Sequence, residues 1–254
     1  MTHYIAFLKK ELIEGMRTYK ILIMFAIFLM FGIISPLGAK LIPQLIESLM
    51  PEGAVVIMPI ATALDSWQQF FKNITQMGFI IILIIFNGIL GAEIMAGTLI
   101  IVLTKGLSRK AVILSKYTYM VLIWTSSLLL SFLVTWIYTT HLFLSGEIHN
   151  LLFAVFCLWL FGVLLLALLI FSSTLINASY GRLLLIGAIA VLGLIANVIP
   201  NADKYNPLSL SSKNMDLLTQ TIEKTSMYSV IGVSLASTII LIVCSILIFR
   251  KKHL

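Results

Sequence analysis

The stretch Leu151–Ser172, LLFAVFCLWLFGVLLLALLIFS, decides the fold: it contains no charged residue over 22 positions. At 1.5 Å per residue a helix of that length crosses the roughly 30 Å of hydrocarbon in a bilayer. Outward from it, five further runs of the same character follow: Ile21–Ile42, Met77–Ala92, Tyr117–Thr140, Leu183–Ile199 and Tyr228–Phe249. The second is the shortest and follows the mixed stretch Ile57–Gln76, which is expected to add a turn or two. Pro36 and Gly38 predict a kink or an early stop in the first run, and Pro200 bounds the fifth.

Composition supports the same class. Of the 254 residues, 60% are hydrophobic and only 11% charged, and the mean hydropathy is +1.09, against about 25% charge in a soluble domain. The expected architecture is an all-α membrane protein with a single membrane domain over 1–254. An interfacial helix covers 1–20, a six-helix bundle 21–249, an inner loop 93–116 and a basic tail 250–254.

Orientation follows from Lys and Arg in the short connections. With the N-terminus inside, the inner set is Lys9, Lys10, Arg17, Lys20, Lys105, Arg109, Lys110, Lys116, Arg182, Arg250, Lys251 and Lys252, leaving only Lys40, Lys72, Lys204, Lys213 and Lys224 outside. Both termini are therefore expected in the cytoplasm. The net charge of +7 then belongs to helix ends facing an anionic leaflet rather than to nucleic-acid binding. Charged residues including Glu11 and Glu14 precede the first apolar run and no small-residue cleavage site follows it promptly, so that run is expected to be a retained helix rather than a signal peptide.

Cys157 and Cys244 fall inside predicted spans, as inert buried thiols commonly do. His141 and His149 flank Glu147 at a spacing that matches no zinc motif, and no metal-ligand set is expected. Ile5, Leu8, Leu12, Met16 and Tyr19 recur at helical spacing, with Lys9, Lys10, Glu11, Glu14 and Arg17 on the other faces. Lys10 with Glu14, and Glu14 with Arg17, stand at ion-pairing distance along a helix. Such a segment either lies in the membrane interface or forms a solvated helix that orients the first span.

The longest inner connection, Gly91–Lys116, reads GAEIMAGTLIIVLTKGLSRKAVILSK. Glu93 stands at the membrane boundary, Gly97-Thr98 opens an apolar patch over 99–103, and a polar turn runs from Thr104 to Arg109. A partly helical loop of this kind suits docking on another protein, or else an interfacial hairpin held to lipid headgroups.

This segment resembles the first cytoplasmic loop of permease subunits of ABC-2 type ATP-binding-cassette exporters. There Glu, Gly-Thr or Gly-Ser, Leu-Leu-Thr or Leu-Leu-Ser, a turn with Ser-Arg and a later Lys recur. Glu93, Gly97, Thr98, Leu103, Thr104, Ser108, Arg109 and Lys116 stand at those positions. The family usually has Pro in the turn, where this chain has Lys105-Gly106. The run Phe7–Arg17 is similar to the family's opening helix, with Leu8, Leu12, Glu14 and Arg17 on its faces.

The resemblance implies the six-span fold of ABC-2, type V exporter-like permeases. It further implies a pathway formed with a second permease, identical or related, and two copies of a separate ATP-binding subunit that holds ATP and Mg2+. This chain would bind no cofactor and catalyse nothing itself, and no Gly-x-x-x-x-Gly-Lys-Ser/Thr phosphate loop occurs in it. The loop from Gly97 to Arg109 would couple the two subunits. Glu93 would fix it at the bilayer edge or simply favour a helix N-terminus.

Polar residues inside spans are the other place to look for function. Ser127, Ser131 and Thr135 recur every four residues in the third span, and Asn87 and Asn197 stand in the second and fifth. They either line a substrate path or pack helices together. In the outer segments Leu208, Leu210, Leu217 and Leu218 offer a lid, with Trp67, Phe70 and Phe71 as interfacial anchors. Nothing in these residues names a substrate; the resemblance implies export of an amphipathic or antimicrobial peptide, phenol-soluble-modulin-like, or a hydrophobic drug across a bacterial plasma membrane, with which the few charges are compatible. A lipid-linked cargo and a non-transporting sensor or immunity subunit are the alternatives. An intramembrane protease is disfavoured, since no His-Glu-x-x-His and no Asp pair falls in the spans.

Overall fold

The computed structural model describes residues 2–49, 61–104, 106–143, 148–199 and 202–252, and among them every regular element is helical. Helix α1 (Thr2–Arg17) is separated from α2 (Lys20–Leu49) by a turn in which Tyr19 adopts a left-handed φ of 59°. Helix α3 (Ala63–Asn73) continues through a π-helical turn, Ile74–Gly78, into α4 (Phe79–Phe86). Two short helices, α5 (Gly91–Met95) and α6 (Thr98–Thr104), precede α7 (Arg109–Leu142). Helices α8 (Leu151–Leu175) and α9 (Ser179–Ala196) form the next antiparallel pair. Short turns, among them α10 (Ser209–Ser212) and α11 (Asn214–Leu218), lead to α12 (Tyr228–Lys251).

Six of these segments are long and apolar enough to span a bilayer: Lys20–Ile42, Ala63–Met95, Arg109–Leu142, Leu151–Leu175, Ser179–Ala196 and Lys224–Lys251. The number agrees with the hydropathy pattern, but several limits do not. Helix α2 runs through Pro36 and Gly38 without stopping. The second span begins at Ala63 rather than Met77, because its first three turns carry polar groups on one face and aromatic groups on the other. Trp67, Phe70 and Phe71 are therefore core residues, none more than 3% exposed, and not interfacial anchors. Phe70 meets both Trp67 and Phe71 edge to face. The third span starts at Arg109, so the stretch leading to Lys116 is its first two turns rather than part of a loop.

Helix α8 is the most buried span, held between α7 and α12, while α9 and α12 show most of their surface to the surroundings. Helices α2 and α7 share the most extensive contact. There Ser127 and Ser131 are fully buried, and the Thr135 hydroxyl donates to the carbonyls of Gly32 at 3.2 Å and Ser131 at 2.9 Å. A small polar stripe thus lets two backbones approach. Leu210, Leu217 and Leu218 are buried on α8 at the end of the bundle away from α1.

Candidate functional site

The end of the bundle that carries α1 gathers its charges into one cluster. Phe7 is buried against the bundle, and the ammonium groups of Lys10 and Lys116 lie 5.1 and 5.5 Å from its ring centre. Lys116, 1% exposed, reaches the Glu11 carboxylate at 2.8 Å and that of Glu93 at 2.7 Å. Lys10 pairs with Glu14 at 2.7 Å, with Glu11 at 3.2 Å and with Glu93. Burial by itself would lower the Lys10 pKa, but hydrogen bonds to Glu14 and Glu93 outweigh it and hold the pKa well above the usual lysine range. Burial would raise that of Glu14, and Lys10 overrides this and holds it below the usual carboxylate range.

Helical periodicity had placed Glu11 on a polar face. The fold buries it, because α1 packs on α7 along the side bearing Phe7, Leu8, Glu11 and Leu12. The Tyr4 hydroxyl donates to Thr118 on α7 at 2.8 Å, extending the same seam. Ile5, Met16 and Tyr19 point outward instead. Arg17 is exposed and makes no ion pair among the described residues, since Glu14 turns to Lys10.

Between this cluster and α7, α6 hangs between two glycines. Gly97 and Gly106 have φ of +69° and +90°, conformations that glycine reaches without strain, and a Cβ on either would meet nothing within 4 Å. Leu99 points into the core, while Ile100 and Ile101 are 43% and 58% exposed. Thr98 and Thr104 are exposed and Leu103 is half-buried. Lys105 lies outside the described residues. Ser108 caps α7, its hydroxyl accepting from the Ala111 amide at 3.2 Å. Arg109 donates to the carbonyls of Phe249, Arg250 and Lys252 at 2.8, 3.0 and 2.7 Å, so it closes the C-terminal end of α12. The loop is thus tied to the ion cluster at Glu93 and to the last helix at Arg109.

A second buried cation was not singled out in the sequence beyond its count among inner charges. Arg182, 1% exposed, donates to Asn87 Oδ1 at 2.9 Å, the Asn177 carbonyl at 2.7 Å and the Ser179 hydroxyl at 2.8 Å. A Cβ on Gly91 would overlap its guanidinium, so only glycine fits there. Lys252 donates to Asn177 Oδ1 at 2.7 Å and the Thr174 carbonyl at 3.1 Å. Its pKa is lowered by burial and by neighbouring Arg182. The sequence signal was an Arg just inside an apolar run, the position at which polar groups are costly unless partnered.

Of the polar residues read as a possible path, Asn87 is engaged by Arg182, and Ser127, Ser131 and Thr135 face α2. Asn197 accepts from Asn206 at 2.7 Å at the opposite end. It stands on the wall of a cavity of about 550 Å3 between α4, α8 and α9, lined mainly by apolar groups such as Phe79, Leu83, Leu165 and Leu194. Thr75, in the π-helical turn, lines it too, and its hydroxyl has no hydrogen-bond partner among the described residues.

Six candidate spans, an α1 that lies beside the bundle and a short loop helix between two glycines define a multi-pass membrane protein. The sequence profile of the ABC-2 family transporter proteins matches residues 5–254. The chain belongs to this family, and is the multi-pass membrane component of an ATP-binding-cassette transporter rather than its catalyst. No individually curated protein matches the chain.

Proposed function

We infer that this chain is an export permease driven through α6 by a separate ATP-binding subunit, which binds the ATP and Mg2+. It works paired with a second permease, identical or related, over two such subunits, as one domain in a bacterial plasma membrane with both termini in the cytoplasm. The basic residues support that orientation, since Arg109, Arg250, Lys251 and Lys252 meet at the α1 end. The observation that carries the reading is α6 itself: an exposed apolar pair, Ile100 and Ile101, on a short helix between two glycine pivots. Movement there is transmitted through Glu93 to α1 and through Arg109 to α12. The cavity beside Asn197 and Thr75, apolar with uncharged polar groups at its rim, is where an amphipathic peptide or a hydrophobic drug would pass.

Co-expression with candidate ATP-binding subunits tests this. The expected result is a complex whose ATPase responds to the permease, and loss of that response in Ile101→Asp with folding intact. A complex that Ile101→Asp leaves unchanged overturns α6 as the coupling element. Stimulated ATPase without movement of any peptide or drug into vesicles assigns the chain to sensing instead.

A further inference from the structure

One oxygen each from Glu11, Glu14 and Glu93 lies within 4.8 Å of the others. The Lys10 ammonium occupies the middle of this tripod, one pair to each carboxylate. Beside it is a cavity of about 50 Å3, lined by all three acids and by Tyr119. Tyr119, which lines that wall, is 2% exposed, and its hydroxyl has no hydrogen-bond partner among the described residues. A Cβ on Gly15 would overlap this hydroxyl, so the glycine is what lets the phenol reach the cavity wall beside α1. A buried hydroxyl without a partner is costly, and this one faces a set of oxygen donors.

Charge indicates what the tripod can hold. The three carboxylates carry three negative charges and Lys116, buried between Glu11 and Glu93, returns one positive. Without Lys10 the group therefore has two negative charges to match. Lys20 also lines the cavity and its charge helps lower the Glu14 pKa, though among the described residues it makes no ion pair with these acids. The Lys10 side chain is 42% exposed, whereas that of Lys116 is 1% exposed. Lys10 is thus free to leave toward solvent while Lys116 stays.

We propose that Glu11, Glu14 and Glu93, with the Tyr119 hydroxyl, form a site for a hard divalent cation of the Mg2+ or Ca2+ class, for which Lys10 is a tethered competitor. Carboxylate and hydroxyl oxygens suit such ions, and the cavity admits the water that Mg2+ retains. Cation and lysine exchange would alter what ties α1 to Glu93. This inference does not depend on the transport reading.

The test uses the full chain alone in zwitterionic lipid nanodiscs, with Mn2+ followed by electron paramagnetic resonance and Mg2+ and Ca2+ as competitors. Lys10→Met is expected to bind one Mn2+ per chain, about tenfold or more tighter than wild type, because the competing charge is gone. Adding Glu14→Gln to Lys10→Met should abolish binding up to about 1 mM, and adding Tyr119→Phe should weaken it about tenfold. Both changes keep side-chain volume and leave the Lys116 pairs intact, so they read ligation rather than folding. No saturable binding in Lys10→Met, equal affinity in Lys10→Met and wild type, or binding indifferent to the Glu14 and Tyr119 changes each overturns the proposal.

Discussion

At the α1 end of the bundle, Lys116, Arg182 and Arg109 are cations drawn into the protein and held by carboxylates or helix-end carbonyls. At the opposite end, Asn206 bonds the Gly193 carbonyl and Asn197, Asn150 donates to the Leu217 carbonyl, and three leucines of α10 and α11 pack on α8. One end is fixed by charge and the other by neutral hydrogen bonds and apolar burial. The difference bears on motion. A buried ion pair has few acceptable alternatives, because separating it strands a charge. Uncharged polar and apolar contacts have many near-equivalent arrangements, so that end is the easier of the two to rearrange.

The largest expected effect is at Lys116. Lys116→Met leaves Glu11 buried with only the more distant, half-exposed Lys10 beside it and should cost about 3 kcal/mol in thermal unfolding, with much of that recovered in the Glu11→Gln, Lys116→Met pair. A single variant as stable as wild type would show that the charged end is not fixed by this pair. Arg182→Leu removes the donors to Asn87, Asn177 and Ser179 and should cost about 1–3 kcal/mol by the same measurement. Ser108→Ala, which removes the cap of α7, should cost about 1 kcal/mol.

Acid sharpens the comparison at smaller amplitude. The pKa of Glu14 is depressed in the folded protein, so its contribution is complete above the ordinary carboxylate value of about 4.3 and is lost as pH falls below that toward the folded value. The Lys10 pKa is raised, so its contribution persists up to the ordinary lysine value of about 10.4 and is lost only at higher pH. Hydrogen exchange of α1 between neutral and acid pH should therefore rise only on the acid side. Protection of α1 that is independent of pH there would show that Glu14 does not help hold α1. The smallest effect belongs to Asp203, whose pKa is lowered by its hydrogen bond to Lys213 at 2.6 Å in the connection between α9 and α12. As an exposed pair it should give no measurable change in stability on Asp203→Asn.

Much of the architecture was legible in the chain. Six spans, both ends on one face of the bundle and a short helix in the inner loop follow from hydropathy and from Gly97 and Gly106. The start of the second span was not, since Asp65, Gln68, Gln69 and Lys72 depress the average while Trp67, Phe70 and Phe71 turn inward. Averaging along the chain cannot separate two faces of one helix. The same limit hid Glu11, which has the spacing of a solvated residue and the burial of a core one. Arg109 looked like a loop residue available to a partner, and its guanidinium is instead committed to the end of α12.

The sequence by itself determined the solvent this protein folds in, because the cost of exposing or burying apolar runs depends on composition and length alone. It also determined the orientation expected from basic residues and the absence of a nucleotide-binding loop. Only the tertiary structure decided which charges meet. Glu11, Glu93 and Lys116 are brought within ion-pairing distance from three separate helices. Electrostatic partners are chosen by distance in space, and nothing in the order of residues along the chain encodes that distance directly.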